Sequence, residues 1–307
     1  MDERNDTIAN STSFALASKV KDYFQLIKFT LSFMVVFSSV ISFLLAPGVS
    51  FHLPTVLLLF VAGMFITGSA NAINQVLERE TDAMMRRTAS RPVASKRMSV
   101  QEGYTFAGVC AAAGVMMLWY FFNFTSAALG LFSLIMYGFV YTYLKKVNSI
   151  AVLVGAIPGA LPCLIGWVAA TNEFSAGGWV LFAIQFLWQF PHFWAIAWVA
   201  HEDYSKAGFK LLPSDKGPTR FTAVQAIIYS MLMIPIGLLP HLDIPGVANF
   251  PMSGAISMWI VLMCNLAMVM LSVNLYLKMD KKAARLVMFG SYFYLMLVFL
   301  SLYANKL

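Results

Sequence analysis

The sequence predicts an all-α integral membrane protein with nine transmembrane helices. Sixty per cent of its 307 residues are hydrophobic and only 11% are charged, and the mean hydropathy is +0.73. This composition is typical of polytopic membrane proteins and excludes an ordinary soluble domain. The charges gather in short segments between long uncharged stretches. Helices are expected in those stretches because lipid offers no hydrogen-bond partner to an open strand edge.

The uncharged stretches set the number of spans. Residues 29–77 carry no charge and have room for two spans of about 20 residues, with a turn at Pro47-Gly48. Residues 103–144 have room for two more. Five single spans follow, at about 149–170, 177–200, 221–241, 255–277 and 286–304.

The distribution of basic residues predicts the orientation. With nine spans, 20 of the 21 Lys and Arg residues and 12 of the 14 acids fall on one side. Cytoplasmic loops are rich in Lys and Arg, so we expect a cytoplasmic N-terminus. The net charge of +7 is then a topology signal, and no nucleic-acid partner is expected. Residues 1–27 are predicted to be a cytoplasmic segment and residues 28–307 a single polytopic domain.

The N-terminus and the cysteines bear on localisation and redox chemistry. The chain begins Met-Asp-Glu-Arg-Asn-Asp, which is typical neither of a signal peptide nor of an organellar transit peptide. A bacterial cell inner membrane is therefore expected, with an organelle as the alternative. The three cysteines all fall in apolar runs and none forms a CxxC motif, so neither a thiolate metal site nor a disulfide framework is predicted.

The densest charge cluster follows the second span, at residues 74–92. Asn74, Glu78 and Asp82 are four residues apart and would line one stripe of a helix. Oxygen ligands without His or Cys suit Mg²⁺, which takes one or two carboxylates together with water and substrate phosphates. The segment also carries four arginines, whose guanidinium groups bind phosphate well. This pattern predicts a magnesium diphosphate site; the alternative is a solvated charged face where a helix leaves the bilayer.

Polar residues also interrupt the sixth span. Gln189 and His192 lie deep in it, next to Pro191, and polar groups at such depth face a cavity or another helix. For His192, a packed core residue and a ligand are about equally supported. A second acidic pair, Glu202-Asp203, follows on the predicted cytoplasmic side and would allow a second Mg²⁺.

The pattern Asn74-x3-Glu78-x3-Asp82 resembles the first acidic motif of the UbiA superfamily of intramembrane prenyltransferases, N-x3-D-x3-D, with Glu replacing the middle Asp. Further segments are similar to the branch of that superfamily that farnesylates haem b. These are Asp82-Ala-x-Met-x-Arg87-Thr88-x-x-Arg91-Pro92, Tyr141-Thr-x-x-Leu-Lys145, Pro191-His192-Phe193-Trp194 and Glu202-Asp203-Tyr204 with the following Leu212-Pro213. The similarity runs from about residue 23 to 217, and the nine-span layout extends it to the whole chain. The short second acidic motif leaves one or two Mg²⁺ ions open.

The resemblance implies a UbiA-type bundle that transfers a farnesyl group from farnesyl diphosphate to a vinyl group of haem b. Water is added in the same reaction, and the product is haem O. Mg²⁺ is the implied cofactor and haem b is a substrate. The implied metal ligands are Asn74, Glu78, Asp82, Glu202 and Asp203, of which Asn74, Glu78, Asp82 and Asp203 are the expected catalytic residues. Lys28, Arg87, Arg91, Lys145 and Lys206 would bind diphosphate, and His192, Phe193 and Trp194 would form the acceptor pocket.

Partners and competing functions follow from the same residues. Besides the two substrates and the bilayer, a haem A synthase or terminal oxidase assembly factors are candidate partners. A prenyltransferase for a quinone-precursor aromatic acceptor would share the Mg²⁺ chemistry. A transporter would need ionisable groups within its spans, and Asp, Glu, Lys and Arg are absent from the nine proposed. A haem-binding electron-transfer subunit would need paired His ligands within spans, and only His192 is clearly so placed.

Overall fold

The structure is a computed structural model that describes residues 18–214, 216–248 and 250–307. Almost all regular structure in these residues is helical. The helices are α1 Ser18–Leu26, α2 Phe29–Leu45, α3 Leu53–Leu77, α4 Arg79–Met84, α5 Val100–Phe121, α6 Phe124–Ile135, α7 Thr142–Leu144, α8 Ala151–Thr171, α9 Ala176–Val199, α10 His201–Lys206, α11 Arg220–Leu238, α12 Ala255–Lys278 and α13 Lys281–Ala304. A π-helix, Met136–Tyr141, joins α6 to α7, so that Phe124–Leu144 is one continuous rod.

The described helices include eight that are long and apolar enough to cross a membrane. The pair α1–α2, bent by 50°, makes a ninth if it counts as one span. The predicted all-α, multi-span architecture is therefore confirmed, and the chain is a multi-pass membrane protein. The orientation of the N-terminus and the boundary at residue 27 stay predictions. The first 17 residues of the predicted cytoplasmic segment lie outside the described residues.

The bend between α1 and α2 is held by polar side chains of α3. Gln75 Nε2 donates to the carbonyls of Gln25 and Leu26, at 2.9 and 2.8 Å, and Asn71 Nδ2 donates to Ile27 O at 3.2 Å. These carbonyls end α1, where a helix leaves its last acceptors unpaired. Lys28 follows in the left-handed region, with φ 49° and ψ 57°. The backbone reversal directs its side chain towards α3.

Helices α8 and α9 are joined by side-chain hydrogen bonds to backbone carbonyls. Gln185 Nε2 donates to Gly159 O at 2.8 Å, and Gln189 Nε2 donates to Ala156 O at 2.9 Å. Gly159 is required here, since a Cβ on it would lie 1.9 Å from Gln189 Oε1. Gln189 therefore faces a neighbouring helix, one of the two placements expected from the sequence. Residues of both helices line the cavity described below.

Two clusters of buried apolar side chains form the core. One joins α2 and α8 to α9, α11, α12 and α13, and the other joins them to α3, α5 and α6. The outer faces of the helices remain apolar as well, with Trp119, Met263 and Leu277 about 60–70% exposed. An apolar outer face is what a helix presents to lipid. The charged helix ends converge at one end of the bundle, and the candidate site lies there.

Candidate active site

A cavity of about 310 Å³ opens among the ends of α3, α7 and α9. Nine of the residues predicted from the sequence line it: Lys28, Asn74, Glu78, Asp82, Arg87, Arg91, Lys145, His192 and Phe193. Residues from both halves of the chain therefore meet at one site. The six charged residues among them, four cations and two carboxylates, give the cavity a formal net charge of +2, which favours an anionic ligand.

The three oxygen-bearing residues of the first motif are all buried, with 2% or less of each exposed. Helix α4 begins directly after Glu78, so the four-residue spacing keeps Asn74, Glu78 and Asp82 on one stripe across the junction. Glu78 and Asp82 are carboxylates shielded from solvent. Such groups need a partner, because an unpaired buried charge is costly.

Each member of the stripe contacts one cation. Lys28 Nζ donates to Asn74 Oδ1 at 2.9 Å, and Lys145 forms an ion pair with Glu78. Arg91 Nη1 contacts both oxygens of Asp82, at 2.8 and 2.7 Å. Three oxygen ligands and three cations are thus matched one to one. Burial lowers the pKa of Lys145, and the adjacent Glu78 carboxylate opposes that shift.

This arrangement fits a magnesium diphosphate. A bound Mg²⁺ can replace Lys28, Lys145 and Arg91 as the partner of the three protein oxygens. The phosphate oxygens of the substrate can then replace those protein oxygens as the partners of the three basic side chains. Two carboxylates and one amide oxygen match the few protein ligands that Mg²⁺ usually takes. The described residues hold no group of three or more His, Cys, Asp and Glu side chains placed to bind a metal. The substrate oxygens would therefore have to complete the metal shell.

Thr142 fixes the orientation of the Asn74 amide. Asn74 Nδ2 donates to Thr142 Oγ1 at 3.0 Å, and Thr142 Oγ1 donates to Tyr137 O at 3.0 Å. The Thr142 hydroxyl donates its single proton to the Tyr137 carbonyl, so it can only accept a hydrogen bond from Asn74. The amide nitrogen must therefore face Thr142, and Oδ1 must face the cavity. The wide turn of the π-helix lies at this point, as π-helical turns often do at functional sites.

Aromatic side chains cover two of the four cations that line the cavity, Arg87 and Lys145. Arg87 Nη2 donates to Tyr204 Oη at 2.8 Å, and its guanidinium lies 5.4 Å from the centre of that ring. Lys145 Nζ lies 4.6 Å from the ring centre of Phe209. Lys210 N donates to Lys145 O at 2.8 Å, which ties the segment after α10 to the site. Cation–π contacts of this kind hold the basic groups in place.

Several lining residues were not assigned from the sequence. They are Tyr137, Tyr141, Tyr204, Phe209 and Tyr292. Tyr141 and Tyr204 belong to sequence segments that resemble family motifs, and their place in those segments could have indicated a role in the site. Tyr292, on α13, has no signal in its own segment.

His192, on α9, lines the same cavity and is supported by α13. Its Nδ1 is 2.7 Å from Ser291 Oγ, and its ring stacks on Trp188 with centres 4.7 Å apart. Phe193 lines the same cavity. Trp194 does not; it packs against Phe190 and Tyr229 in a separate apolar cluster. On a helix, consecutive residues point about 100° apart, so 192, 193 and 194 cannot all face one cavity.

The structure does not bring the second acidic motif to the first. Glu202 is exposed and forms an ion pair with Lys281 at the start of α13, and this contact lowers the pKa of its carboxyl group. Asp203 and Lys206 do not line the cavity either. The chain turns after Ala200 before α10 begins, and Tyr204 is the residue of this helix that lines the cavity. The assignment of Glu202, Asp203 and Lys206 to the site stays a prediction.

Residues 35–300 match the UbiA prenyltransferase family. The chain belongs to this family. The UbiA resemblance seen in the sequence is therefore confirmed. Among its relatives, the protoheme IX farnesyltransferase of Cytophaga hutchinsonii is 43% identical over 95% of this chain and 100% of that protein. The protoheme IX farnesyltransferase of Flavobacterium psychrophilum is 40% identical over 92% and 93%.

Solved structures of UbiA-type proteins share the fold. A digeranylgeranylglyceryl phosphate synthase structure superposes with a TM-score of 0.73 at 18% identity, covering 94% of this chain and 98% of that one. A UbiA homolog from Archaeoglobus fulgidus bound to GPP and Mg²⁺ gives a TM-score of 0.65 at 16% identity, covering 92% and 99%. At these identities the likeness establishes the helical bundle alone.

Proposed function

We propose that this UbiA family member transfers a farnesyl group from farnesyl diphosphate to a vinyl group of protohaem IX, with addition of water, giving haem O. The main support for diphosphate chemistry is that three buried oxygen-bearing side chains each contact one basic side chain in the cavity. The farnesyl donor and the haem acceptor are taken from relatives about 40% identical over nearly their whole length, which are named protoheme IX farnesyltransferases.

Asn74, Glu78 and Asp82 are the residues proposed to hold Mg²⁺, which when bound would neutralise charge on the diphosphate leaving group. Lys28, Arg91 and Lys145 would exchange their oxygen partners for phosphate oxygens, a change of partner without a change of position. Fixed positive charge beside the departing oxygens lowers the cost of breaking the bond between C1 of the farnesyl group and oxygen.

The remaining steps involve the farnesyl cation and the vinyl group. The vinyl carbon forms a bond to C1 of the farnesyl group, and the positive charge moves to the carbon next to the porphyrin. Water adds there and loses a proton, which leaves a hydroxyl group. Tyr137 and Tyr141 line the cavity, and their rings would stabilise the first cation while the surrounding apolar helices keep stray water from it.

The proposal includes a location. The cavity lies at the end of the bundle that carries most of the Lys and Arg residues, which supports a cytoplasmic active site in a bacterial inner membrane. Farnesyl diphosphate, haem b and the bilayer are the proposed partners. A haem A synthase or terminal oxidase assembly factors are further candidate partners.

The test is direct. Purified protein in detergent is incubated with haem b, farnesyl diphosphate and Mg²⁺, and the extracted haem is analysed by mass spectrometry. The expected result is haem that has gained a farnesyl group and one water, and EDTA should abolish the gain. Unchanged haem, with prenyl transfer to an aromatic acid instead, would replace the acceptor with a quinone precursor. Absence of transfer to either acceptor would overturn the proposal.

A further inference from the structure

The tautomer of His192 is set by Ser291. Ser291 Oγ lies 2.6 Å from Met288 O and 2.7 Å from His192 Nδ1. A carbonyl oxygen only accepts, so the hydroxyl donates its single proton to Met288 O. Towards His192 it can then only accept, and Nδ1 must carry the proton. The lone pair of the neutral imidazole is consequently on Nε2.

The ring is also held in one plane. Trp188 stacks on it with an interplanar angle of 15°, and Trp188 Nε1 donates to the backbone carbonyl of Ser291 at 2.7 Å. Tyr292 packs on it edge-on with ring centres 4.8 Å apart. Among the described residues, His192 Nε2 has no hydrogen-bond partner, and His192 lines the cavity. An oriented nitrogen lone pair is therefore available to a ligand there.

The kind of ligand follows from what surrounds this nitrogen. A histidine whose Nδ1–H is held by a fixed acceptor is arranged as a metal ligand, and imidazole suits iron better than Mg²⁺. The described residues offer no cluster of three or more His, Cys, Asp and Glu side chains that could hold a metal. A metal bound through one imidazole must bring its other ligands with it. An iron porphyrin does so, since four nitrogens already bind the iron.

We propose that His192 Nε2 is the axial ligand to the iron of the haem b substrate and that Ser291 is its positioning residue. This inference rests on the proposed function in taking haem as the acceptor. A bond from Nε2 to iron would set the porphyrin plane perpendicular to that bond. It would thereby determine which edge of the macrocycle meets the farnesyl cation beside Asn74 and Asp82.

The test measures ligation without turnover. Purified protein is titrated with haem b under reducing conditions, without farnesyl diphosphate or Mg²⁺, and followed by absorption and resonance Raman spectroscopy. The wild type should show an iron–histidine stretch. His192→Gly should lose it, and added imidazole should restore a histidine-like spectrum. Ser291→Ala keeps the imidazole and loses its support, so haem affinity should fall about 10–100-fold, as for other residues that orient metal ligands.

Ser301→Ala is the matched control. Ser301 lies on the same helix and makes the same bond to a carbonyl three residues earlier, Val298 O at 2.9 Å, without contacting His192. It should leave the spectrum unchanged. A wild-type complex without the iron–histidine stretch, or a His192→Gly variant that retains it without imidazole, would overturn the inference.

Failure of the inference and failure of the proposed function give different results. Haem farnesylation by wild-type protein without histidine ligation would refute the inference alone. Histidine ligation without farnesylation in the complete reaction would refute the proposed reaction and leave the haem site standing. Binding of farnesyl diphosphate with Mg²⁺ should be equal in His192→Gly and wild type, which shows that the variant is folded.

Discussion

Replacing Thr142 by Val should weaken metal binding although Thr142 is not itself a proposed metal ligand. Valine has the shape of threonine but offers no acceptor, so Asn74 Nδ2 would lose its only described partner, 3.0 Å away. An unsatisfied buried amide costs about 1–3 kcal/mol. The amide can relieve this cost by rotating, and rotation would present its nitrogen to the cavity. At about 1.4 kcal/mol for each factor of ten, the expected loss of metal affinity is about 10–100-fold.

The assay for this prediction uses Mn²⁺ as a spectroscopic substitute for Mg²⁺. Electron paramagnetic resonance measures bound Mn²⁺ in the presence of farnesyl diphosphate and the absence of haem, so that no turnover occurs. In the complete reaction, the apparent KM for Mg²⁺ should rise while kcat at saturating Mg²⁺ changes much less. Thr142→Ser keeps the hydroxyl and should bind Mn²⁺ as wild type does. Equal Mn²⁺ affinity in the folded Val and Ser variants would refute the hydrogen-bond argument.

Three further predictions concern a carboxylate, a cation and the bend between α1 and α2. Asp82→Asn should lower kcat/KM by on the order of 10² or more, since a proposed Mg²⁺ ligand is weakened and the positive charge that the metal would supply at the leaving group is lost with it; near-normal turnover in a folded variant would contradict the metal assignment. Burial places the pKa of Lys145 below its usual value, so its charge is present at low pH and is lost as pH rises through that lowered pKa. Lys145→Arg should therefore move the alkaline limb of kcat/KM for farnesyl diphosphate to higher pH, and an unmoved limb would assign it to another group. Gln75→Leu leaves the carbonyls of Gln25 and Leu26 without their α3 donor and should destabilise the protein by about 1–3 kcal/mol, measured by thermal unfolding. An unchanged Tm would show that the bend is held by other contacts.

The sequence predicted those features that depend on local spacing. Asn74, Glu78 and Asp82 share a stripe because a four-residue step nearly completes a helical turn, and this holds even across the junction at Glu78. The spans were predictable because lipid demands long apolar helices. Both arguments use only residues close together in the chain.

The features that the sequence did not predict come from contacts between distant segments. Thr142 and Ser291 contact Asn74 and His192 across separations of 68 and 99 residues. A serine in an apolar helix has no local signature of such a role. The placement of Glu202 depends on the turn after Ala200, which periodicity alone does not show. Long-range pairing thus determines which polar residues support the site.

The matching of three oxygens with three cations has a consequence for the end of the catalytic cycle. Pyrophosphate held by Lys28, Arg91 and Lys145 would be a strong product inhibitor if nothing competed for these cations. Asn74, Glu78 and Asp82 would compete with it, because they lie within contact distance of the same groups. As the metal and the pyrophosphate leave, Arg91 and Lys145 would regain a carboxylate partner and Lys28 an amide oxygen, so the barrier to product dissociation would be lowered. The residues proposed to hold the substrate would therefore also favour turnover.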